Sequence, residues 1–419
     1  MDLSKVKEWT IGGKQVKILT IDGAIYWQKK EEPKYEPFYV ENVSGSDNSL
    51  TLTKNGTTAP DIKLEYSTDN QQWQEWVNCQ TTPLPIEPNG RVYLRGVNKY
   101  FGYDKNAYNF FNCTNNFNVG GDITTLLTHE GKVLDLNGRL NTFVALFKNS
   151  ITLQNAKDLI LPSTTLTQSS YDSMFDGCTA LTTTPVLPAT TLGNYCYQSM
   201  FNNCTALTTA PKELPATTLS PYCYNNMFRG CTALTTAPTL PATTLAKHCY
   251  GSMFNGCTAL TQVPRELPAT TLADWCYNNM FRGCTALTTA PVLPATILTS
   301  SCYYYMFYGC TALTTAPELP ATTLADWCYN TMFTYCSSLT TAPQLPATTL
   351  AKDCYGSMFY NCTALNKVEI KVTNWNESYT RNWLQGVASS GTITKPKELT
   401  NMPIDNPSGV PTGWTTIDK

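Results

Sequence analysis

The sequence predicts an α+β solenoid of stacked coils that follows an N-terminal β-sandwich. A motif of the form Cys-Tyr-x-x-Met-Phe-x-x-Cys-Thr-Ala-Leu recurs along the chain with small variations, and short β-type segments precede it. A fixed period of 20–50 residues is typical of stacked repeats, because one unit cannot bury its own apolar face. The methionine of the motif recurs every 26 or 27 residues, at Met174, Met200, Met227, Met253, Met280, Met306, Met332 and Met358.

The first 32 residues predict a small β unit followed by a linker. Apolar residues alternate around Gly12-Gly13 and around Asp22-Gly23, which is typical of β-hairpins. The segment Lys29–Lys34 is charged and contains a proline, as linkers do. The sequence of Met1–Glu8 lacks the basic and apolar regions of a signal peptide. We therefore expect either that the protein is not secreted by that route or that a signal has been removed.

Residues 36–127 predict the β-sandwich. Short β-type segments are separated by turn clusters, a spacing typical of sandwiches. The predicted strands lie at residues 38–40, 49–53, 62–67 and 91–96.

Residues 128–372 predict the solenoid, and Cys276–Cys284 illustrates the first part of one coil. Its apolar residues stand at the first, second, fifth, sixth and ninth positions. At about 100° per residue these positions share one face, so we expect a short helix that buries this face. Gly283 stands where that helix would end.

The second part of each coil predicts extended structure. Residues 285–291 are rich in β-branched side chains and favour a strand with Leu287 directed into the core. Residues 293–298 form the predicted extended return to the next coil. Because an open solenoid end would expose apolar side chains, we expect residues 373–419 to be a C-terminal cap.

The 17 cysteines predict a ladder of buried free thiols. Most form Cys-x7-Cys pairs, and residues eight apart in a helix are about 12 Å apart along its axis. That distance exceeds the Cα separation of about 7 Å that a disulfide tolerates. The spacing also differs from the Cys-x2-Cys pairs of zinc ribbons, so no metal site is expected. Disulfides between adjacent coils stay geometrically open.

Neither the composition nor the motifs favour catalysis or nucleic-acid binding. Only 14% of the residues are charged and the formal net charge is -2, without the basic excess that holds nucleic acid or anionic lipid. No apolar run reaches the roughly 18 residues of a transmembrane helix. Motifs of serine hydrolases, P-loop enzymes and zinc proteases are missing, and His129 and His248 are the only histidines. We expect no enzyme and no cofactor.

A candidate ligand-binding stripe lies at the position before the first cysteine of each coil. This position varies and is rich in aromatic residues, whereas the motif around it barely changes. Exposed Trp and Tyr suit sugar rings and protein hot spots, and two arginines offer polar contacts. The alternative is that Trp275 and Trp327 pack over the helix N-termini as staples. The candidate residues are Tyr195, Tyr222, His248, Trp275, Trp327, Arg229 and Arg282.

The repeated core resembles a known family. The run Met-Phe-x-Gly-Cys-Thr-Ala-Leu-Thr at Met227–Thr235 and Met280–Thr288 is similar to the core of BspA-type leucine-rich repeats. The likeness covers roughly residues 140–372, although the usual Ala before Phe is Met here. The layout resembles leucine-rich repeat proteins of gut Bacteroidales and their phages. The segment Trp9–Trp27 is similar to short N-terminal modules of phage tail-associated proteins.

The resemblance implies adhesion or recognition rather than chemistry, on leucine-rich repeat coils with a short helix and a strand each. The leading hypothesis is a virion or phage-tail protein that docks onto other virion proteins through residues 1–30 and binds a host-surface protein or glycan with its coils. The first alternative is a bacterial cell-surface adhesin that binds host protein or glycan. The second is a structural virion decoration protein. Homo-oligomerisation stays open.

Overall fold

The computed structural model describes residues 36–419, together with the backbone of 9–11, 14–16, 18–21 and 24–28. It divides into two compact units, Met1–Glu36 and Pro37–Lys419. The predicted linker at Lys29–Lys34 and the Gly12-Gly13 and Asp22-Gly23 turns lie outside the described residues.

The described residues of the first unit form two antiparallel strand pairs. Strand β1 (Trp9–Ile11) pairs with β2 (Lys14–Val16), and β3 (Ile18–Ile21) pairs with β4 (Ala24–Gln28). The two predicted hairpins therefore have their expected strand pairings.

The second unit begins with two sheets. Their residues alternate between buried and partly exposed, as in the strand around Leu50 and Leu52. The rings of Phe38 and Phe111, one from each sheet region, lie 5.8 Å apart, so the two sheets share one apolar core. One sheet has the order β14-β13-β5-β10-β7-β8, with β5 Tyr39–Asn42, β7 Glu65–Ser67, β8 Gln74–Glu75, β10 Arg91–Arg95, β13 Phe117–Asp122 and β14 Leu153–Ile160. The other has the order β11-β12-β6-β9, with β6 Asn48–Asn55, β9 Leu84–Ile86, β11 Gly102–Asp104 and β12 Ala107–Cys113.

The sheets continue into the coils without a break in the core. Strands β13 and β14 pair in parallel, and a 3-10 helix at Ile123–Leu126 follows β13. The ring of Phe147 lies 6.0 Å from Phe111 on the sheet side and 5.3 Å from Phe175 on the coil side. The predicted ranges 36–127, 128–372 and 373–419 thus share one apolar cluster.

The predicted helix in each coil is wrong, because the described residues contain no α-helix. We call the nine residues from the first to the second cysteine of each pair, both included, the turn segment. In Cys276–Cys284, the backbone φ is 54° at Asn279 and 71° at Gly283, and it is 61° at Trp275 just before. Every fourth residue is therefore left-handed, whereas an α-helix keeps φ near −63° throughout.

The hydrogen bonds of the turn segment alternate between two directions. The amide of Met280 donates to the carbonyl of Tyr277 in the same coil at 3.2 Å, an i to i−3 turn bond. The next amide, that of Phe281, donates to the carbonyl of Met306 in the following coil at 2.9 Å. The segment is thus a chain of turns that also joins neighbouring coils, and it leaves its buried amides satisfied.

The turn segment still buries the predicted face. All five apolar residues are at most 1% exposed: Cys276, Tyr277, Met280, Phe281 and Cys284. A period of four and a helical period of 3.6 bring the same positions to one side over nine residues, so the inward set was right although the conformation was not. Asn, Ser and Gly occupy most of the left-handed positions, and these residues accept that conformation at least cost.

The predicted strand is also wrong for the regular coils, since within residues 128–372 strands occur only at the two ends, as β14 (Leu153–Ile160) and as Lys367–Glu369. Residues 285–291 make only an isolated parallel bridge, between Thr289 and Thr315 of the next coil. Pro291 and Pro294 have no amide hydrogen to donate, so a continuous ladder cannot form there. Leu287 is fully buried, as predicted.

Identical rings stack along the core from coil to coil. The successive Phe rings are 5.3–5.7 Å apart and tilted by at most 9°. Trp383 is fully buried and its ring lies 6.4 Å from that of Phe359, so it covers the last coil. Three parallel strands follow one another from the end of the last coil: β15 Lys367–Glu369, β16 Gly391–Lys395 and β17 Trp414–Asp418.

All 17 cysteines are unpaired and buried, which confirms the predicted thiol ladder. The thiol of Cys284 donates to the carbonyl of Phe254 in the preceding coil at 3.2 Å, and other coils repeat this bond. Among the described residues, no helix is long and apolar enough to cross a bilayer.

Candidate recognition surface

Four aromatic side chains form a column on the outside of the coils, which we call the ring column. Tyr195 and Tyr222 stack with ring centroids 4.9 Å apart, and Tyr222 and His248 with centroids 4.7 Å apart. Trp275 follows at 5.5 Å from His248. All three pairs are nearly parallel, within 18°. The structure therefore brings four of the seven candidate residues together, and their role in binding stays a prediction.

Tyr304 continues the column where the sequence pattern breaks. The stripe position of this coil is Ser301, which has no ring and is buried. The ring of Tyr304 lies 5.6 Å from Trp275 and 6.3 Å from Trp327, nearly perpendicular to both. Trp327 is 36% exposed. Sequence reasoning missed Tyr304, although a Tyr where other coils have Asn, Gly or Gln was a usable signal.

A second aromatic group branches from Tyr304, and we call it the tyrosine fan: Tyr304, Tyr305, Tyr308, Tyr335 and Tyr360. Successive ring centroids are 4.3, 5.4, 5.4 and 5.9 Å apart. Three of the four pairs are T-shaped, with interplanar angles of 66°, 77° and 78°. The ring column and the tyrosine fan therefore form one aromatic surface across consecutive coils.

The two candidate arginines differ in their surroundings. The guanidinium carbon of Arg282 lies 4.8 Å from the ring centre of Tyr308 and 5.6 Å from that of Tyr305. Arg229 is exposed and occupies the same repeat position two coils earlier. Over residues 36–419, no carboxylate lies within ion-pair distance of either guanidinium. The structure thus places Arg282 on the tyrosine fan and gives Arg229 no aromatic contact there.

Comparison with known proteins settles the family. The model of the BspA type leucine rich repeat region matches in six copies, over residues 145–261 and 276–383. This is more than half of the chain. The chain belongs to the BspA-type leucine-rich repeat family. Such repeats are typical of surface adhesion and recognition proteins and are generally non-enzymatic. Neither the curated proteins nor the solved structures include a significant match.

His248 and the adjacent Cys249 of these BspA-type coils do not form an activated thiol nucleophile. Nδ1 of His248 lies 3.3 Å from Oδ1 of Asn278, and burial lowers the pKa of the imidazole. Burial raises the pKa of the adjacent Cys249 thiol to about 12, so the thiolate is scarce at neutral pH. Within the described part of the chain, no group of three His, Cys, Asp or Glu residues could hold a metal ion.

The staple alternative for the two tryptophans is wrong, because the BspA-type coils have no helix N-terminus for them to cover. Trp275 is half-buried between His248 and Tyr304. Trp327 contacts Tyr304 by an edge. Both indoles therefore belong to the aromatic surface.

Proposed function

We propose that this chain is a non-enzymatic recognition protein of a phage tail or virion, and that it binds the host-cell surface with the ring column and the tyrosine fan. The observation that carries the proposal is the unbroken contact of rings from Tyr195 to Tyr360 on the outside of the coils. The coils do not depend on this surface for their packing, since their buried side chains already form one apolar cluster.

The contrast between interior and surface supports recognition. Inside, the same Cys, Tyr, Met and Phe recur coil after coil, whereas the outward positions change from coil to coil. Aromatic side chains and Arg are enriched at the residues that dominate binding energy. The rings already pack on one another, so little side-chain freedom is lost when a partner binds.

The phage assignment is supported by the segment Trp9–Trp27, whose sequence resembles short N-terminal modules of phage tail-associated proteins. The unit Met1–Glu36 is compact in itself, as a docking module needs to be. We place its docking partner among the other virion proteins and the chain itself in the virion.

A bacterial cell-surface adhesin is the second candidate, and the family match favours it because BspA-type repeats are typical of surface adhesion. Antibody labelling separates the two assignments. Label on isolated phage particles supports the virion protein, and label confined to bacterial envelopes supports the adhesin.

The recognition proposal is tested by binding of the labelled full chain to intact Bacteroidales cells. We expect the double variant Trp275→Ala/Trp327→Ala to bind at least tenfold more weakly, since tenfold corresponds to about 1.4 kcal/mol and truncated hot spots cost about 2 kcal/mol or more. The matched control is Val292→Ala, an exposed apolar residue just before the return segment of its coil. Equal binding by the double variant and the control, with both folded by circular dichroism, contradicts the proposal.

A further inference from the structure

We propose that the tyrosine fan and Arg282 form a subsite for an acidic glycan, with the sugar carboxylate on the guanidinium and the sugar C–H faces on the tyrosine rings. This inference deepens the proposed function and rests on it. It differs from the sequence-predicted stripe, because it assigns the ligand to the fan rather than to the ring column.

Ring orientation separates the fan from the column. In the ring column, neighbours lie face to face within 18°, so each inner ring has both faces covered and presents only its edge to solvent. In the fan, three pairs are T-shaped, and one ring of a T-shaped pair keeps both faces free of its partner. Since a sugar packs its C–H face on a ring face, the fan is the better platform.

Tyr335 is the clearest sign that the fan is not merely structural. It is 41% exposed, and its backbone φ is 64°, a left-handed conformation that disfavours large side chains. Other coils have Gly or Asn at this position, as at Gly283, Gly309 and Asn361, and both residue types accept a left-handed φ more readily than Tyr does. A residue that accepts the left-handed backbone with less strain would therefore fit at position 335. The chain has Tyr there instead, which adds an exposed ring to the surface.

The charge of the turn segments favours an anion. Arg282 is exposed, stacks over Tyr308 and has no ion-pair partner over residues 36–419. None of the seven turn segments from Cys196–Cys204 to Cys354–Cys362 contains Asp or Glu, whereas two contain Arg. A guanidinium binds a carboxylate with parallel hydrogen bonds, which gives directional as well as electrostatic preference.

The spacing of the fan suits a linear polymer. Tyr308, Tyr335 and Tyr360 belong to three consecutive coils, and their ring centroids are 5.4 and 5.9 Å apart. A pyranose in an extended chain advances by a comparable distance, so successive sugars can meet successive coils. The five phenolic hydroxyls can each donate and accept a hydrogen bond, which matches the hydroxyls of a sugar better than the side chains of an acidic peptide.

The test uses three polymers and the full chain. Polygalacturonate is the acidic probe, its methyl ester has the same sugars without the charge, and polyglutamate has the carboxylates without the sugars. We expect calorimetric titration to show binding of polygalacturonate and at least tenfold weaker binding of the other two. We also expect the affinity for polygalacturonate to fall at higher salt, because part of it is ionic.

Two variants and one control assign the contacts. Arg282→Gln should remove the preference for the acid over the ester, whereas Arg265→Gln, the same charge change in an exposed turn elsewhere on the coils, should leave it unchanged. Tyr335→Gly should weaken binding of both polysaccharides at least fivefold without unfolding the protein, because glycine fits the left-handed backbone.

Three results overturn the inference: no binding of polygalacturonate, equal affinity for acid and ester, or binding of polyglutamate as tight as that of polygalacturonate. Equal effects of Arg282→Gln and Arg265→Gln do so as well. If the chain binds Bacteroidales cells but not polygalacturonate, the glycan subsite fails while the recognition proposal stands. If it binds polygalacturonate but no cells, the recognition proposal fails instead.

Discussion

The buried thiols predict that mildly alkaline pH unfolds the coils in the presence of a reductant. Burial raises the pKa of Cys249, Cys257, Cys302 and Cys310 to about 12, whereas an unfolded thiol ionises near ~8.5. Above ~8.5 the unfolded chain releases thiol protons that the folded chain retains. The stabilising contribution is therefore complete below the unfolded pKa and declines as the pH rises towards the folded pKa.

The magnitude follows from the number of thiols. Each buried thiol lowers the free energy of unfolding by about 1.4 kcal/mol for every pH unit above the unfolded pKa. The coils contain 15 cysteines, from Cys178 to Cys362, and all are buried. At one pH unit above the unfolded pKa, together they lower the free energy of unfolding by about 20 kcal/mol. This is more than the roughly 5–15 kcal/mol by which domains are usually stable. We expect a steep transition between about pH 9 and 10.

The assay follows two signals along a pH titration: thiolate absorbance and the near-ultraviolet circular dichroism of the stacked rings. We expect both to change together. The double variant Cys249→Ala/Cys257→Ala should have a pH dependence that is shallower by about 2.7 kcal/mol per pH unit. Thiolates that form near pH ~8.5 while the ring signal is intact would refute the reasoning, because the thiols would then be accessible in the folded coils.

Two further substitutions test the coils, and two already described test the surface. Gly283→Ala should destabilise the protein by about 1 kcal/mol in urea unfolding, because φ is 71° there, whereas a helix would gain stability from alanine. A gain in stability for Gly283→Ala, or an equal loss for the more tolerant Gly283→Asn, contradicts the turn geometry. Tyr250→Phe should leave stability unchanged or raise it by up to about 1 kcal/mol, because the buried hydroxyl has no hydrogen-bond partner. The matched change Trp383→Phe should lower stability, since it removes the 2.8 Å bond from the indole Nε1–H to the carbonyl of Gly409. The losses expected for Trp275→Ala/Trp327→Ala and for Arg282→Gln complete the set.

The sequence predicted which residues face the core but not the backbone that turns them inward. Over nine residues, a helix and a chain of four-residue turns bury the same positions, so periodicity cannot separate them. The distinguishing signal was polar: Asn279 and Gly283 stand four apart, and both residue types accept a left-handed φ. A helix rarely repeats such residues in every copy.

The predicted strands failed for a different reason. β-branched residues such as Thr288 and Thr289 favour extended backbone, and Thr289 makes a parallel β-bridge to Thr315. Pairing with the coils on both sides, however, requires amide donors from successive residues, and Pro291 and Pro294 lack them. Propensity therefore indicated the local conformation correctly and overestimated the ladder.

The candidate surface was predictable where the same repeat position supplies the ring in successive coils. It was not predictable where the ring comes from a different repeat position. The column from Tyr195 to Trp275 follows directly from stacking equal positions. Tyr304 reaches the column from a different repeat position, in the coil whose stripe residue is Ser301. Such exchange depends on side-chain geometry between coils, which a position-by-position comparison of the sequence does not include.

Hydroxyl-radical footprinting of the full chain, free and bound to intact host cells, tests most directly whether the aromatic surface makes the contact. The account predicts that bound protein loses oxidation at Trp327 and Tyr335, two exposed rings of that surface, while Val292 and Tyr103 react as before. Protection at Val292 or Tyr103, with Trp327 and Tyr335 still oxidised at the free rate, would contradict it.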